Sequence, residues 1–211
     1  MPPMTVVDGL DAALLDVRKA YRLIYLYQRR VLDLCEEIKK ALSGNLDFYY
    51  WIPSSGVSLK RFDHSPCMQD AWAFLPLYDF CALYLPHGGH YEELKAGDWM
   101  LIVRISADSG KPDSPERDVD PRTFKDVPNC ESTVRLYLYY CSQASTANWY
   151  SKVFSDNQWP RDDGKGTFDG GISTFGLKFP LARLSNAEDV SVSVKQFLEK
   201  MQAALPLNLA G

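Results

Sequence analysis

The stretch LLDVRKAYRLIYLYQRRVLDLCEEIKKAL, residues 14–42, contains neither proline nor glycine, and its apolar residues arrive in steps of three and four. Leu10, Leu14, Val17, Tyr21, Ile24, Gln28, Val31, Cys35, Ile38 and Leu42 follow the seam of a heptad pattern, which keeps one face of a helix apolar along its whole length. Asp8 or Asp11 is expected to start the helix, Lys39 and Lys40 suit the negative end of its dipole, and Gly44 occupies the position of a left-handed cap. At 1.5 Å per residue such a helix runs roughly 50 Å, more than the width of a compact domain this size, so part of it is expected to project or bend. Tyr21, Gln28 and Cys35 stand at seam positions where a self-sufficient coiled coil prefers Leu, Ile or Val, and Tyr25 and Leu26 widen the apolar face. The middle of the helix is therefore expected to pack on the chain's own strands, leaving surplus length at one or both ends for a partner.

After Gly44 the pattern changes to short β-rich runs. DFYYWIP (47–53), DWMLIVRIS (98–106), STVRLYLYYCS (132–142) and GISTFGLKFPLARL (171–184) read as strands from their β-branched and aromatic content. AWAFLPLYDFCALYLP (71–86) is apolar almost throughout but broken by Pro76, which predicts a short helix followed by a strand or an interrupted edge strand. Two long loops are expected near 107–131 and 143–170; the aromatics Trp149, Tyr150, Phe154 and Trp159 predict that the second packs back on the body. Ser185 and Glu188 match a capping box that opens a helix over 185–205, with Val190, Val194, Phe197, Leu198 and Met201 on one face. Helix, then strands, then helix, without alternation, predicts an α+β fold: a mainly antiparallel sheet of about 4–6 strands with the two helices packed on it, in a single domain over 1–211 with the long helix in 1–45 and the sheet in 46–184.

A chain of 211 residues can bury a core without staples, and 46% hydrophobic with 24% charged residues is ordinary globular composition. The net charge of -4 argues against holding duplex nucleic acid through the overall field. Five scattered cysteines, none in CxxC spacing, read as reduced thiols. With no apolar run of spanning length and no basic lead into an apolar segment, a cytoplasmic, membrane-free protein is expected.

No motif fixes a reaction. HGGHYEE combines His87, His90, Glu92 and Glu93 within seven residues, donors that a divalent ion accepts, although two glycines replace the helical spacing of H-E-x-x-H. Asp79 with Glu93-Leu94-Lys95 matches in letters the acidic and acidic-x-Lys elements of a metal-dependent nuclease. His87, His90, Glu93 and Asp79 thus form the metal-dependent hydrolase or nuclease alternative, and a divalent metal is its only implied cofactor. His64 and Cys67 lie three apart in a polar loop, and DGKGTFDGG lacks the ending of a phosphate-binding P-loop.

Alternation in the two central strands sets Trp99, Leu101, Val103 and Ile105, with Val134, Leu136, Leu138 and Tyr140, on one face. The other face carries Met100, Ile102 and Arg104 with Arg135, Tyr137, Tyr139 and Cys141. Arg104, Arg135, Tyr137 and Tyr139 make this semi-polar face a candidate for a nucleotide or small ligand, unless the C-terminal helix covers it. A pocket between sheet and helices lined by Tyr49, Trp51, Tyr137 and Tyr139 is a further candidate. The leading expectation is a non-enzymatic domain that binds a protein partner or forms an oligomer through Tyr21, Ile24, Gln28, Val31 and Cys35 of the seam.

Overall fold

The computed structural model describes residues 6–42, 44–53, 77–111, 119–154, 164–168 and 170–207. His64, Cys67, Trp72, Pro76 and Trp159 lie outside these described residues. The chain forms an α+β structure. Helix α1 (Val6–Leu42) leads into β1 (Leu46–Pro53), β2 (Asp79–Pro86), β3 (Trp99–Ser106), β4 (Thr133–Cys141), β5 (Gly164–Phe168) and β6 (Ile172–Pro180), and helix α2 (Ala187–Ala204) follows. The six strands make one antiparallel sheet in the order β1-β2-β3-β4-β6-β5.

The register of β3 on β4 sets Leu101 opposite Leu138 and Val103 opposite Leu136, so the apolar alternation of both strands adds on one face. That face receives both helices. Val31, Leu34, Cys35, Ile38 and Leu42 of α1 join Val190, Val194, Phe197 and Met201 of α2 and the inward residues of β2, β3, β4 and β6 in one buried cluster. Among the described residues, no helix of ordinary length lies on the opposite face. A single π-helical turn, Trp149–Phe154, lies on it, burying Trp149 and Val153 against Met100, Ile102, Tyr137 and Tyr139. The alternative that α2 covers the arginine and tyrosine face does not hold: two sheet faces need covering, and α1 and α2 share the first.

Three local expectations shift. Helix α1 begins at Val6, so Asp8 and Asp11 fall inside it rather than cap it; its other end is as expected, with Gly44 at φ +68° donating its N–H to the Lys39 carbonyl at 3.2 Å. The α2 cap lies one residue beyond the S-x-x-E pattern. Asn186 accepts from the Asp189 N–H at 3.0 Å, while Ser185 Oγ donates to the Asp189 carboxylate at 2.6 Å. The second long loop contains edge strand β5, GKGTF, whose strand geometry comes from pairing with β6.

Helix α1 is 37 residues long and unbroken, but only its C-terminal part belongs to the body. Its first described anchor is Tyr27, whose hydroxyl donates to the Leu77 carbonyl at 3.4 Å; Arg30 then donates to the Leu184 carbonyl at 2.7 Å and pairs with Glu37 at 3.0 Å. The twenty or so residues before Tyr27 form an arm of roughly 30 Å. Among the described residues no helix is long and apolar enough to cross a membrane.

Candidate functional site: the projecting arm of α1

Along the arm, Leu10, Leu14, Leu15, Val17, Tyr21, Leu23, Tyr25 and Leu26 are all exposed, Tyr21 at 70% and Leu23 at 69%. Isolated exposed apolar residues are ordinary, but Leu10, Leu14, Val17, Tyr21 and Tyr25 share one face of the helix and make an apolar stripe of the kind that marks an interaction site, with Leu15, Leu23 and Leu26 on a second strip. The seam residues divide at the body. Tyr21 is exposed and Ile24 and Gln28 are partly so, whereas Val31 at 0% and Cys35 at 4% are filled into the chain's own core. Val31 and Cys35 are therefore corrected from partner-binding to core positions, because the sheet and α2 claim that stretch of the seam. Burial pushes the Cys35 thiol up to about 12, which keeps it protonated and unreactive.

Where the arm meets the body, an apolar groove of about 530 Å³ opens between α1 and the β1–β2 edge. Gln28 and Leu32 form one wall, and Phe48, Trp51 and Tyr84 the other. The groove exists because the helices sit over the middle of the sheet and leave β1 uncovered, so Phe48 and Trp51 keep about half their surface in solvent. Phe48 braces Tyr84 edge-on at a ring separation of 6.0 Å.

The other candidates are distributed differently. His87 lies against Asp47 at 3.1 Å, His90 against Asp98 at 3.7 Å, and Asp79 pairs with Arg104 at the opposite end of β2. No three His, Cys, Asp or Glu side chains among the described residues are grouped to hold a metal, so the set His87, His90, Glu93 and Asp79 is not one site. Its members were close in sequence only where a turn follows β2. Hydrogen bonding from His87 holds the Asp47 carboxyl below its usual range, an exposed surface pairing.

The arginine and tyrosine face is likewise not the open platform that alternation suggested. Tyr137 and Tyr139 are 1% and 2% exposed beneath the Trp149 turn. Arg104 Nε and Nη2 donate to the two Asp79 carboxylate oxygens at 3.1 and 2.9 Å. Burial opposes the Arg104 charge, and the Asp79 hydrogen bonds and charge more than offset it, leaving the guanidinium firmly cationic. The pocket imagined from Tyr49, Trp51, Tyr137 and Tyr139 does not form either: Trp51 lines the α1 groove, while Tyr49 packs with the two tyrosines on the other face. The sequence reading missed the groove. Its signal was the aromatic density of FYYW in a strand with no helix assigned to cover it.

Residues 7–206 match the family model described as PM0109. The chain belongs to the PM0109 family. The match runs from the first turn of α1 to just beyond α2, so the family's shared length includes the projecting arm as well as the sheet. A Pasteurella multocida (strain Pm70) protein of that family, titled uncharacterized protein PM0109, is 27% identical over 210 residues, covering 94% of this chain and 97% of the relative. No solved structure matches.

Proposed function

We propose that this PM0109-family chain is a cytoplasmic assembly domain, acting by binding rather than by catalysis, and that its arm pairs with the arm of a second copy. The observation that carries this reading is the run of exposed apolar residues on a rigid helix that leaves its own body. An apolar helix surface in water is costly, and a second helix is the partner for which heptad spacing is suited.

Antiparallel pairing fits the seam. With the two-fold axis level with residue 19, Leu10 of one copy meets Gln28 of the other, Leu14 meets Ile24, and Val17 meets Tyr21. The same arrangement sets Asp16 level with Arg22 of the second copy and Asp11 within one turn of its Arg29; parallel pairing sets like charges level. It also delivers the start of one arm to the mouth of the other copy's groove, beside Gln28 and Leu32. Leu23 and Leu26 lie off the seam and give the pair a second apolar strip for larger assembly.

Sedimentation equilibrium tests the proposal. At tens of micromolar the protein is expected to weigh at least two chains, and Leu14→Asp with Ile24→Asp is expected to give a monomer with an unchanged near-ultraviolet circular dichroism spectrum. A Leu14→Cys/Ile24→Cys variant is expected to form disulfides joining 14 of one copy to 24 of the other. A wild-type monomer that pairs with nothing overturns the reading, and disulfides joining like positions overturn the antiparallel register.

A further inference from the structure

The π-helical turn over the second sheet face stops short of one end, and at that open end lies a polar pocket of about 200 Å³. Arg104 on β3 is directly opposite Arg135 on β4, which is directly opposite Lys178 on β6. Three cations thus stand side by side across three adjacent strands, with neighbouring Cα atoms about 5 Å apart. Like charges placed directly opposite destabilise a sheet; Asp79 beside Arg104 and Glu131 beside Lys178 offset the two outer members of the row, and Arg135 at its centre is the member that an anion would compensate. The next row outward on the same face supplies the hydroxyls of Ser106 and Thr133, and Ser109 and the Glu131 carboxylate complete the lining.

The cations are not equally committed. Arg104 is fixed by its two hydrogen bonds to Asp79. Lys178 reaches Glu131 at a loose 3.6 Å with both side chains substantially exposed. Arg135 donates to the Tyr137 hydroxyl at 3.4 Å and forms no ion pair among the described residues. Its guanidinium therefore keeps donors for a ligand, and the Tyr137 contact aims it.

We propose that this pocket binds a small phosphate-bearing ligand of the phosphomonoester type, with Arg135 and Lys178 as its principal anchors and Arg104, braced by Asp79, as the fixed wall. Planar guanidinium and point-like ammonium groups beside three hydroxyls suit a compact group that accepts hydrogen bonds on three oxygens, and the pocket volume fits one phosphate with a small substituent. The chain's net charge of -4 makes the basic row a local feature and not part of a general basic surface. The site is independent of the arm and stands whether or not the protein assembles.

Isothermal titration calorimetry with inorganic phosphate, at low and constant ionic strength, tests it. The wild-type protein is expected to bind with saturation at one phosphate per chain. Arg135→Gln and Lys178→Gln are each expected to weaken binding at least tenfold, whereas Lys165→Gln, which removes an exposed charge on β5, leaves it within twofold. Arg135→Gln without ligand is expected to melt no lower than wild type, since it relieves the repulsion in the row; should it fail to fold, Lys178→Gln carries the test. Absence of saturable binding, equal weakening by Lys165→Gln, or succinate binding as tightly as phosphate overturns the proposal.

Discussion

Asp79, the first residue of β2, receives both ends of the Arg104 guanidinium fork from β3, at 3.1 and 2.9 Å, with the carboxylate side chain 12% exposed and the arginine 25%. The geometry is bidentate and mostly shielded from water, so it differs from the exposed pairs Lys19–Asp16 and Arg122–Asp120 elsewhere on the surface. It locks the end of the β2–β3 pairing and holds one wall of the basic pocket.

Removing one partner of such a pair leaves the other charge half-buried without compensation. Asp79→Ala is therefore expected to cost about 2 kcal/mol, below the range for a fully buried pair because Arg104 keeps some contact with water. Replacing both residues together, Asp79→Leu with Arg104→Met, is expected to cost less than Asp79→Ala alone. Urea unfolding of the single and double variants measures the difference, and a double variant worse than Asp79→Ala would contradict it.

Stability should fall on the alkaline side. Burial holds the Cys35 thiol at about 12, burial and the charge of Asp79 hold the Tyr27 hydroxyl at about 12, and burial raises Tyr84 and Tyr139 as well. In the unfolded chain these groups titrate near 8.5 for the thiol and 10 for the phenols. Their folded values are raised, so the stabilisation is fully present below about pH 8.5 and is lost as pH climbs towards 12, where the unfolded state has already released its protons. The urea midpoint is expected to drop steadily between pH 9 and 11, with a shallower start in Cys35→Ala; a midpoint flat across that range would contradict the burial of these groups.

Most of the architecture was legible because it rests on period. Alternation in WMLIVRIS and TVRLYLYYC placed each side chain on its face, and the register pairs those faces as alternation requires. The heptad seam gave α1, and surplus length gave the arm. What was not legible depends on partners distant in sequence. β5 carries two glycines in five residues and becomes a strand only beside β6. Arg104 looked like an open ligand contact until Asp79, 25 residues away, closed on it. Among the described residues the cover over Tyr137 and Tyr139 is an irregular turn with no periodic signature, so only its aromatics hinted at the burial. Val31 and Cys35 share the spacing of Tyr21 and Ile24, and periodicity cannot say where along a helix the body begins.

Gly171, just before β6, combines two constraints. Its φ is +77°, a conformation that side chains disfavour, and an added Cβ would come within 2.5 Å of the Gln143 side chain. Its carbonyl also accepts from the Ser142 N–H at 2.8 Å, tying the end of β4 to the start of β6. Gly171→Ala is expected to destabilise by about 1–2 kcal/mol through backbone strain, the Gln143 contact being partly relieved by rotation of a flexible side chain. Thermal unfolding reads this directly, and the paired variant Gly171→Ala/Gln143→Ala should recover only the part owed to the contact.

The sharpest separation of arm from core compares two changes of the same kind on one helix. Leu34 is 0% exposed in the cluster shared with α2, whereas Leu23 is 69% exposed on the arm. Leu34→Ala removes packed atoms from a filled core and is expected to cost about 3 kcal/mol. Leu23→Ala removes a contact with water alone in the isolated chain, so its unfolding free energy should move by less than about 0.5 kcal/mol. The same logic makes Val31→Asp unfold the domain and Ile24→Asp leave it folded while dissolving the assembly. Chemical denaturation at low protein concentration, where chains are separate, should therefore rank Val31→Asp and Leu34→Ala as damaging and the two arm variants as silent. If Ile24→Asp unfolds the separate chain as Val31→Asp does, the arm packs on its own body and the boundary at Tyr27 is misplaced.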